Sequence, residues 1–192
     1  HFGAVKAFGK AKHFAAGTIM ASTINLGTQS QTWTVSVDFT STETYPDTFP
    51  MSYDAKPSTN THVFNGLEFK FDCPGYYQGG TSGNKRLIIN DISQKAPARI
   101  YLPAIKGYAP TKIIVHNAES SQDILISVTD KKGNMLDNTK DMTAYKQQNI
   151  YEPTGTNDTD TYCVYITCRQ TNTGKTYRLQ SLDITYTPYQ AN

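Results

Sequence analysis

The sequence predicts an all-β fold: an antiparallel two-sheet sandwich, jelly-roll-like, with an irregular or partly helical N-terminal arm. Apolar and polar side chains alternate in many short segments, which is the period of a strand with one buried face. These segments recur roughly every ten residues, with turn signals between them, as in sandwiches and barrels. The composition agrees, because the 192 residues include 13 Tyr and many Thr, and only 18% are charged. β-Branched and aromatic side chains fit a half-buried pleated surface.

Two segments differ in composition, and we expect 1–31 to be an N-terminal arm or linker and 32–192 to be the sandwich. Residues 1–22 are rich in Ala, Gly and Lys, and their apolar residues have helix-like spacing. Glycines at three positions weaken a helix there. This segment is therefore a flexible leader or linker, an arm that docks on another subunit or a membrane surface, or a helix packed on its own body. Because the chain begins at His1 and not at Met, we expect that a secretion signal or another leading segment was removed.

Net charge bears on the class of partner. The formal net charge is +2, which is too small to indicate a nucleic-acid-binding protein. Residues 1–37 contain three lysines and no acid, so the rest of the chain is close to neutral. No apolar run is long enough for a membrane span. A neutral surface rich in Thr, Asn and Tyr suits uncharged polyhydroxyl ligands better than phosphates.

The first half of the chain contains the clearest alternation. Trp33, Val35, Val37 and Phe39 alternate with polar residues and predict a strand in which Trp33 belongs to the core. A turn-rich stretch follows, and a second strand is predicted over 61–72, ended by the proline at position 74. The next segment, 75–85, has four glycines and is predicted to be a loop. Short strands are then expected at 87–89, 100–102, 112–115 and 124–128.

Two further strands are predicted in the last third. Residues 130–134, DKKGN, indicate a hairpin turn. The segment 161–169 places Tyr162, Val164, Ile166 and Cys168 on one face, and 177–187 places Leu182, Ile184 and Tyr186 on one face. The glycine-containing TNTGK between these segments predicts a hairpin connection. Outside the N-terminal arm, the pattern predicts no helix.

The cysteines indicate neither zinc nor a dithiol redox site. The chain has three, Cys73, Cys163 and Cys168, and none is part of a CxxC motif. Cys163 and Cys168 are five residues apart on one predicted strand, so they should point to opposite faces. Two alternatives stay open: Cys73 bridges one of them, or all three are buried thiols.

Motifs for catalysis and metal binding are weak. The sequence has no GxSxG, HExxH, P-loop or GxGxxG, and its 16 acidic residues form no paired pattern, so we expect the chain not to be an enzyme. Asn157, Asp158 and Asp160 offer the hard oxygen ligands that Ca²⁺ prefers. A solvated Asn/Asp turn explains them better, so no cofactor is expected.

Exposed aromatic residues give the lead on a ligand. Sugar rings stack on tyrosine and tryptophan rings, and amides and charged groups bind their hydroxyls. Tyr76 and Tyr77 lie in the glycine-rich segment, followed by Asn84, Lys85 and Arg86, and these five residues are the candidate ligand-binding site. The alternative is that one of the two rings closes the end of the core. Weaker candidates of the same kind are Tyr45, Tyr53 and Tyr151.

The order of several motifs resembles a family. The segments PDTFP (46–50), THVFNGLEFKF (61–71) and GYY (75–77), the pattern over 86–130, and YRLQSLDITYT (177–187) resemble an accessory domain of exported proteins from glycan-harvesting Gram-negative gut bacteria. The resemblance covers about residues 32–187. It implies a jelly-roll, galactose-binding-like sandwich that accompanies enzymes or lipoproteins. It implies no catalytic residue, and only Tyr76 and Tyr77 match a recurrent aromatic pair.

These observations predict a non-catalytic module, exported to the cell surface or outside, that binds neutral carbohydrate. The partners expected are a polysaccharide or other glycan, with no nucleic acid and no membrane span. One alternative is a structural or assembly subunit, such as a filament, adhesin or surface-layer component. In that case, residues 1–22 would pack on a neighbouring copy, and an exposed sheet edge could accept them by strand addition. A third is a hydrolase whose carboxylates pair only in space.

Overall fold

The protein is an all-β sandwich of two antiparallel sheets, as the alternation predicted. The computed structural model describes residues 31–52, 60–81, 84–119, 121–137, 142–144 and 147–190. The predicted arm, apart from residue 31, lies outside the described residues. The strands are β1 (Trp33–Asp38), β2 (Thr61–Phe64), β3 (Leu67–Asp72), β4 (Gly75–Thr81), β5 (Asn84–Ile92), β6 (Ala98–Tyr101), β7 (Tyr108–Asn117), β8 (Ile124–Asp130), β9 (Met142–Thr143), β10 (Gln148–Tyr151), β11 (Tyr162–Cys168) and β12 (Lys175–Pro188).

Sheet A is organised around the long strand β12. Its order is β10-β7-β12-β5-β4, and β1 also pairs with β12. The first residues of β12 pair with β5, whereas its later residues pair with β7 on one side and β1 on the other. Leu182, for example, lies opposite both Val37 and Val115. One continuous strand thus holds together segments from the beginning, middle and end of the chain.

Sheet B has the order β2-β3-β6-β11-β8-β9. Its inward-facing side chains include Phe71, Ile100, Val164 and Val128, which lie opposite one another on successive strands. Together with Leu182 and Ile184 of sheet A they belong to a single buried cluster. The hydrophobic core therefore lies between the sheets, and each sheet has a second face directed towards solvent.

Aromatic side chains fill one end of the core. Phe49, Phe64, Phe71 and Tyr76 pack with ring centroids between 5.0 and 6.0 Å apart, and the buried His62 ring lies among them. At the other end, Trp33 stacks on Tyr186 at 5.2 Å. Trp33 is half-buried and packed against the core, which agrees with the prediction from its alternation with Val35.

The segment predicted as one strand over 61–72 is a hairpin. β2 and β3 are joined by Asn65 and Gly66, whose φ angles are 52° and 78°. Positive φ at both central residues is the geometry of a two-residue turn, and Asn-Gly is the sequence that favours it. The prediction missed this turn because residues on both sides of it continue the apolar alternation.

Two predicted turns have different outcomes. DKKGN is a hairpin turn: the Asp130 N–H donates to the Asn134 carbonyl at 3.0 Å, and Thr129 bridges Met135. The hairpin predicted at TNTGK is wrong, because β11 belongs to sheet B and β12 to sheet A. That connection passes from one sheet to the other, and alternation along each strand carries no information about which sheet the strand joins.

The cysteines are free thiols, and Cys163 and Cys168 point to opposite faces of β11, as predicted. Cys168 belongs to the core, whereas Cys163 faces away from it and lies 3.0 Å from the Thr129 hydroxyl. Burial raises the pKa of the Cys163 thiol, so it stays protonated at neutral pH. Within the described ranges, no helix is long and apolar enough to cross a membrane.

Candidate functional site

The glycine-rich segment predicted to be a loop is a β-hairpin. β4 pairs with β5 from Gly75 opposite Asn90 to Thr81 opposite Asn84. A hairpin alternates its side chains, so the five predicted site residues fall on two faces. The sequence prediction therefore grouped residues that the sheet separates.

Tyr76 is a core residue and not part of an exposed platform. Its side chain is 3% exposed, stacks on Phe71 with centroids 5.0 Å apart, and has its hydroxyl 2.8 Å from His62 Nε2. Lys85 is on the same side of the hairpin and donates to the Gly80 carbonyl at 3.1 Å. The prediction that these two residues form a ligand site with Tyr77 is corrected, because the register points them away from it.

Tyr77, Asn84 and Arg86 share the solvent-facing side of the hairpin. Tyr77 and Arg86 are half-buried, and Asn84 is exposed. A Cβ at Gly79 would lie 2.0 Å from Ile88 Cδ1 and 3.1 Å from Tyr77 Cε2, so glycine gives these side chains their space. Three of the five predicted residues thus form a small surface around one aromatic ring.

Of the weaker tyrosine candidates, the two that the structure describes are buried core residues. Tyr45 is buried and donates its hydroxyl to the Phe39 carbonyl at 2.8 Å, and burial raises its pKa well above the ordinary value. Tyr151 is fully buried and donates to the Ile126 carbonyl at 2.7 Å. Tyr53 lies outside the described residues.

The Asn157 to Asp160 segment is a hydrogen-bonded turn. The Asn157 side-chain oxygen accepts from the Asp160 N–H at 2.7 Å, and Asp158 accepts from the Gly107 N–H at 2.8 Å. The described part of the chain contains no group of three or more His, Cys, Asp or Glu placed to hold a metal ion.

Sheet B presents a more regular aromatic surface than the β4–β5 hairpin of sheet A. On its solvent side, two rows of side chains run from β3 to β8, with one residue on each strand. The first row is Lys70, Tyr101, Cys163 and Thr129, and the second row is Asp72, Arg99, Tyr165 and Ser127. The row between them, which contains Phe71 and Val164, points into the core. We refer to the eight outward residues as the tyrosine face.

A cation lies against each ring of the tyrosine face. Lys70 Nζ is 5.8 Å from the centroid of the Tyr101 ring, and the Arg99 guanidinium carbon is 5.1 Å from that of Tyr165. Both distances are within cation–π range. Arg99 also forms an ion pair with Asp72 at 3.6 Å. Both tyrosines are half-buried, and burial raises the pKa of Tyr101, which keeps its hydroxyl neutral.

A small side chain lies on the other side of each ring. Cys163 is opposite Tyr101, and Ser127 is opposite Tyr165; they are 1% and 2% exposed although they point away from the core. Other parts of the chain therefore cover them. The Ser127 hydroxyl has no hydrogen-bond partner.

The sequence did contain a signal for this face. In ARIY and TYCVYITC, the inward residues Ala98, Ile100, Val164 and Ile166 alternate with Arg99, Tyr101, Cys163 and Tyr165. Alternation thus shows that the tyrosines point outward. It does not show that β6 and β11 are neighbours, because they are about sixty residues apart in the chain and pair only in the folded sheet.

The solvent side of sheet A is polar by comparison. His116 Nε2 lies 2.8 Å from the Asp183 carboxylate, and the Thr34 and Thr185 hydroxyls are 3.1 Å apart. Ile114 and Ile150 lie beside this pair, and Ile150 is 39% exposed. Away from the hairpin, the described residues of this face present no half-exposed tyrosine pair like that of sheet B.

Comparisons with known proteins identify no family for this chain. No family model and no curated protein matches the chain. Among solved structures, it is similar to a Stig cyclase, Fisc, from Fischerella sp. TAU, in complex with (3Z)-3-(1-methyl-2-pyrrolidinylidene)-3H-indole. The identity is 12%, the TM-score is 0.37, and the match covers 82% of this chain and 100% of the cyclase. A likeness this distant carries no argument about a substrate or a reaction.

The expectation that this chain is not an enzyme is corrected by the same comparison. The cyclase is an enzyme, so a non-catalytic assignment is not kept, although a TM-score of 0.37 does not establish catalysis in this chain. It assigns no reaction to this chain, and the binding function proposed below does not depend on the absence of catalysis.

Proposed function

We propose that this protein binds neutral carbohydrate through the tyrosine face of sheet B. The observation that carries the proposal is the placement of Tyr101 and Tyr165 on neighbouring strands, both half-buried and both on the solvent side. Tyrosine combines an apolar ring with a polar tip, which suits it to surfaces that are partly apolar and partly wet. A pyranose has the same combination of C–H faces and hydroxyl edges.

The charges around the rings favour a neutral ligand. Lys70 and Arg99 are positive, and Asp72 and Glu68 on β3 are negative, so the local charges cancel. The carboxylate and the guanidinium can accept from and donate to sugar hydroxyls, and such charge-assisted hydrogen bonds are stronger than neutral ones. A phosphorylated or nucleic-acid ligand would need an excess of positive charge that this face lacks.

Export to the cell surface or outside is part of the same proposal. It rests on the resemblance of residues 32–187 to accessory domains of exported proteins. Fractionation of the cells that produce the protein, followed by immunodetection, tests it. Recovery of the mature chain only in the cytoplasm would remove this part of the proposal without affecting the binding site.

A glycan array followed by calorimetric titration tests binding, with Tyr101→Ala and Tyr165→Ala as site variants. Tyr77→Ala is the matched control, because Tyr77 is also half-buried and outward-facing but lies on sheet A. We expect both site variants to weaken binding at least tenfold and the control to bind as wild type. Absence of binding near millimolar concentrations would refute the function, and loss only in Tyr77→Ala would move the site to the β4–β5 hairpin.

Self-association is the second candidate function, and the edge of sheet B favours it. Among the described strands, β2 pairs only with β3, and its outward residue Val63 is 53% exposed. An edge of this kind can accept an extended segment of another chain. Light scattering of the full chain and of a chain starting at Gln31 tests whether residues 1–22 link neighbouring copies. If both proteins are monomeric over a wide concentration range, self-association is excluded.

A further inference from the structure

The tyrosine face contains the same group of three side chains twice. In the first row, the order across β3, β6 and β11 is Lys70, Tyr101, Cys163. In the second row, the order across β6, β11 and β8 is Arg99, Tyr165, Ser127. Each group consists of a cation, a tyrosine and a small side chain of the same size class, Cys or Ser, on successive strands. The second group is displaced from the first by one strand and by two residues along the strand.

The contacts within the two groups are also alike. In both, the cation lies against the ring, at 5.8 Å for Lys70 and 5.1 Å for Arg99. In both, the small residue opposite the ring is almost completely buried. A small side chain at that position leaves room for the neighbouring ring to lie over the sheet. The repetition therefore concerns geometry as well as residue type.

From this repetition we infer that the site holds a linear oligosaccharide, with one sugar unit on each tyrosine, and not a single sugar. This inference rests on the proposed carbohydrate function. Tyr101 and Tyr165 are diagonal neighbours on adjacent strands, so their Cα atoms are roughly 7–8 Å apart. One pyranose ring cannot stack on both, whereas successive units of a chain crossing β6 and β11 diagonally can.

The two ends of the face differ, which gives the bound chain a direction. The charged side chains Asp72 and Arg99 lie on β3 and β6, whereas Thr129 and Ser127 on β8 are neutral and almost completely buried. The sugar on Tyr101 is therefore close to charged hydrogen-bonding groups on one side. The sugar on Tyr165 has Arg99 on one side and the neutral, buried side chains of β8 on the other, so the unit over Tyr101 has the richer polar surroundings.

The test is calorimetric titration of the folded chain with β-1,4-linked gluco-, xylo-, manno- and galacto-oligosaccharides of one to six units. We expect the series that binds to show an affinity increase of at least tenfold between one unit and the shortest oligomer reaching both rings, and little increase beyond it. Tyr101→Ala and Tyr165→Ala should each reduce the oligomer's affinity towards that of the monosaccharide. Tyr77→Ala is the control and should keep the full length dependence.

The outcomes separate this inference from the proposed function. Binding that is equally strong for one unit and for six overturns the two-subsite inference and leaves carbohydrate binding intact. Absence of binding in all four series and on the glycan array overturns both. The length dependence is measured on the wild-type chain, so the inference remains testable even if an alanine variant fails to fold.

Discussion

His62 Nε2 lies 2.8 Å from the Tyr76 hydroxyl oxygen in the aromatic end of the core, whereas His62 Nδ1 has no hydrogen-bond partner. The residue is 2% exposed, and burial lowers its pKa below the ordinary value of 6.5. The imidazole is therefore neutral in the folded protein at neutral pH. His62 forms its hydrogen bond with a core residue, Tyr76, so its role is structural.

His62 should make stability depend on pH. Because its folded pKa is lowered, the unfolded chain binds a proton at a higher pH than the folded chain. The contribution of neutral His62 to stability is therefore fully present above about pH 6.5. It is lost as the pH falls towards the folded pKa, by at most about 1.4 kcal/mol per pH unit. Urea unfolding of wild type and His62→Phe between pH 5 and 7.5 measures this dependence. If the free energy of unfolding changes with pH by the same amount in the two proteins, the prediction is contradicted.

Ser127 should be replaceable without loss of stability. Its hydroxyl is buried without a partner, which costs free energy in the folded state. We expect Ser127→Ala to leave the free energy of unfolding unchanged or to raise it by up to about 1 kcal/mol. Thr129→Val is the control, since it removes the contact with Cys163 and should destabilise by about 0.5–1.5 kcal/mol. A clear destabilisation by Ser127→Ala would show that the hydroxyl has a partner.

Tyr186 is expected to stabilise the core through its hydroxyl as well as its ring. The hydroxyl donates to the Pro103 carbonyl at 2.8 Å, and the residue is fully buried. Tyr186→Phe keeps the ring stacked on Trp33 but leaves that carbonyl unpaired, so we expect a loss of about 1–3 kcal/mol. Thermal or urea unfolding measures it, with Tyr165→Phe as an outward-facing control expected to stay within about 0.5 kcal/mol of wild type.

The turn between β2 and β3 should require glycine at position 66. Its φ is 78°, a conformation that costs a residue with a Cβ about 1–2 kcal/mol. Gly66→Ala should destabilise by that amount, although a Cβ there would meet no atom within 4 Å. Gly75→Ala is a matched control, because position 75 has equal space and no positive φ. Equal effects of the two substitutions would contradict the conformational explanation.

Lys70 should not contribute to sugar binding through its charge. Its ammonium group lies against the Tyr101 ring, where an exposed cation–π contact is worth about 0.5–1 kcal/mol. A sugar that stacks on this ring competes with that contact. We expect Lys70→Met to bind the glycan as tightly as wild type or a few-fold more tightly, by calorimetry. A tenfold loss would mean that the cation contacts the ligand directly.

Much of the fold was predictable from local patterns. Val35, Phe69, Val164 and Ile184 are all buried, as their alternation predicted, and the DKKGN turn is present. The errors concern turns and connections. Alternation predicts one strand where the Asn65–Gly66 turn divides two, and TNTGK joins strands of different sheets.

The candidate site was less predictable than the fold. Glycines and neighbouring tyrosines suggested a loop platform at 75–85, but strand pairing turns Tyr76 into the core and leaves Tyr77 outside. Tyr101 and Tyr165 carry no signal of a site in the sequence, because each is an ordinary strand residue in its own segment. They become a candidate site only when β6 and β11 pair.

The sequence by itself determined which side chains point inward, because alternation along a strand is a local property that a buried face imposes. It also determined the all-β class, since two such faces must cover each other. Only the tertiary structure decided which strands are neighbours. Lys70, Tyr101, Cys163 and Thr129 form one row because β3, β6, β11 and β8 pair in that order. Pairing between distant segments depends on contacts across the whole domain, and no local pattern encodes it.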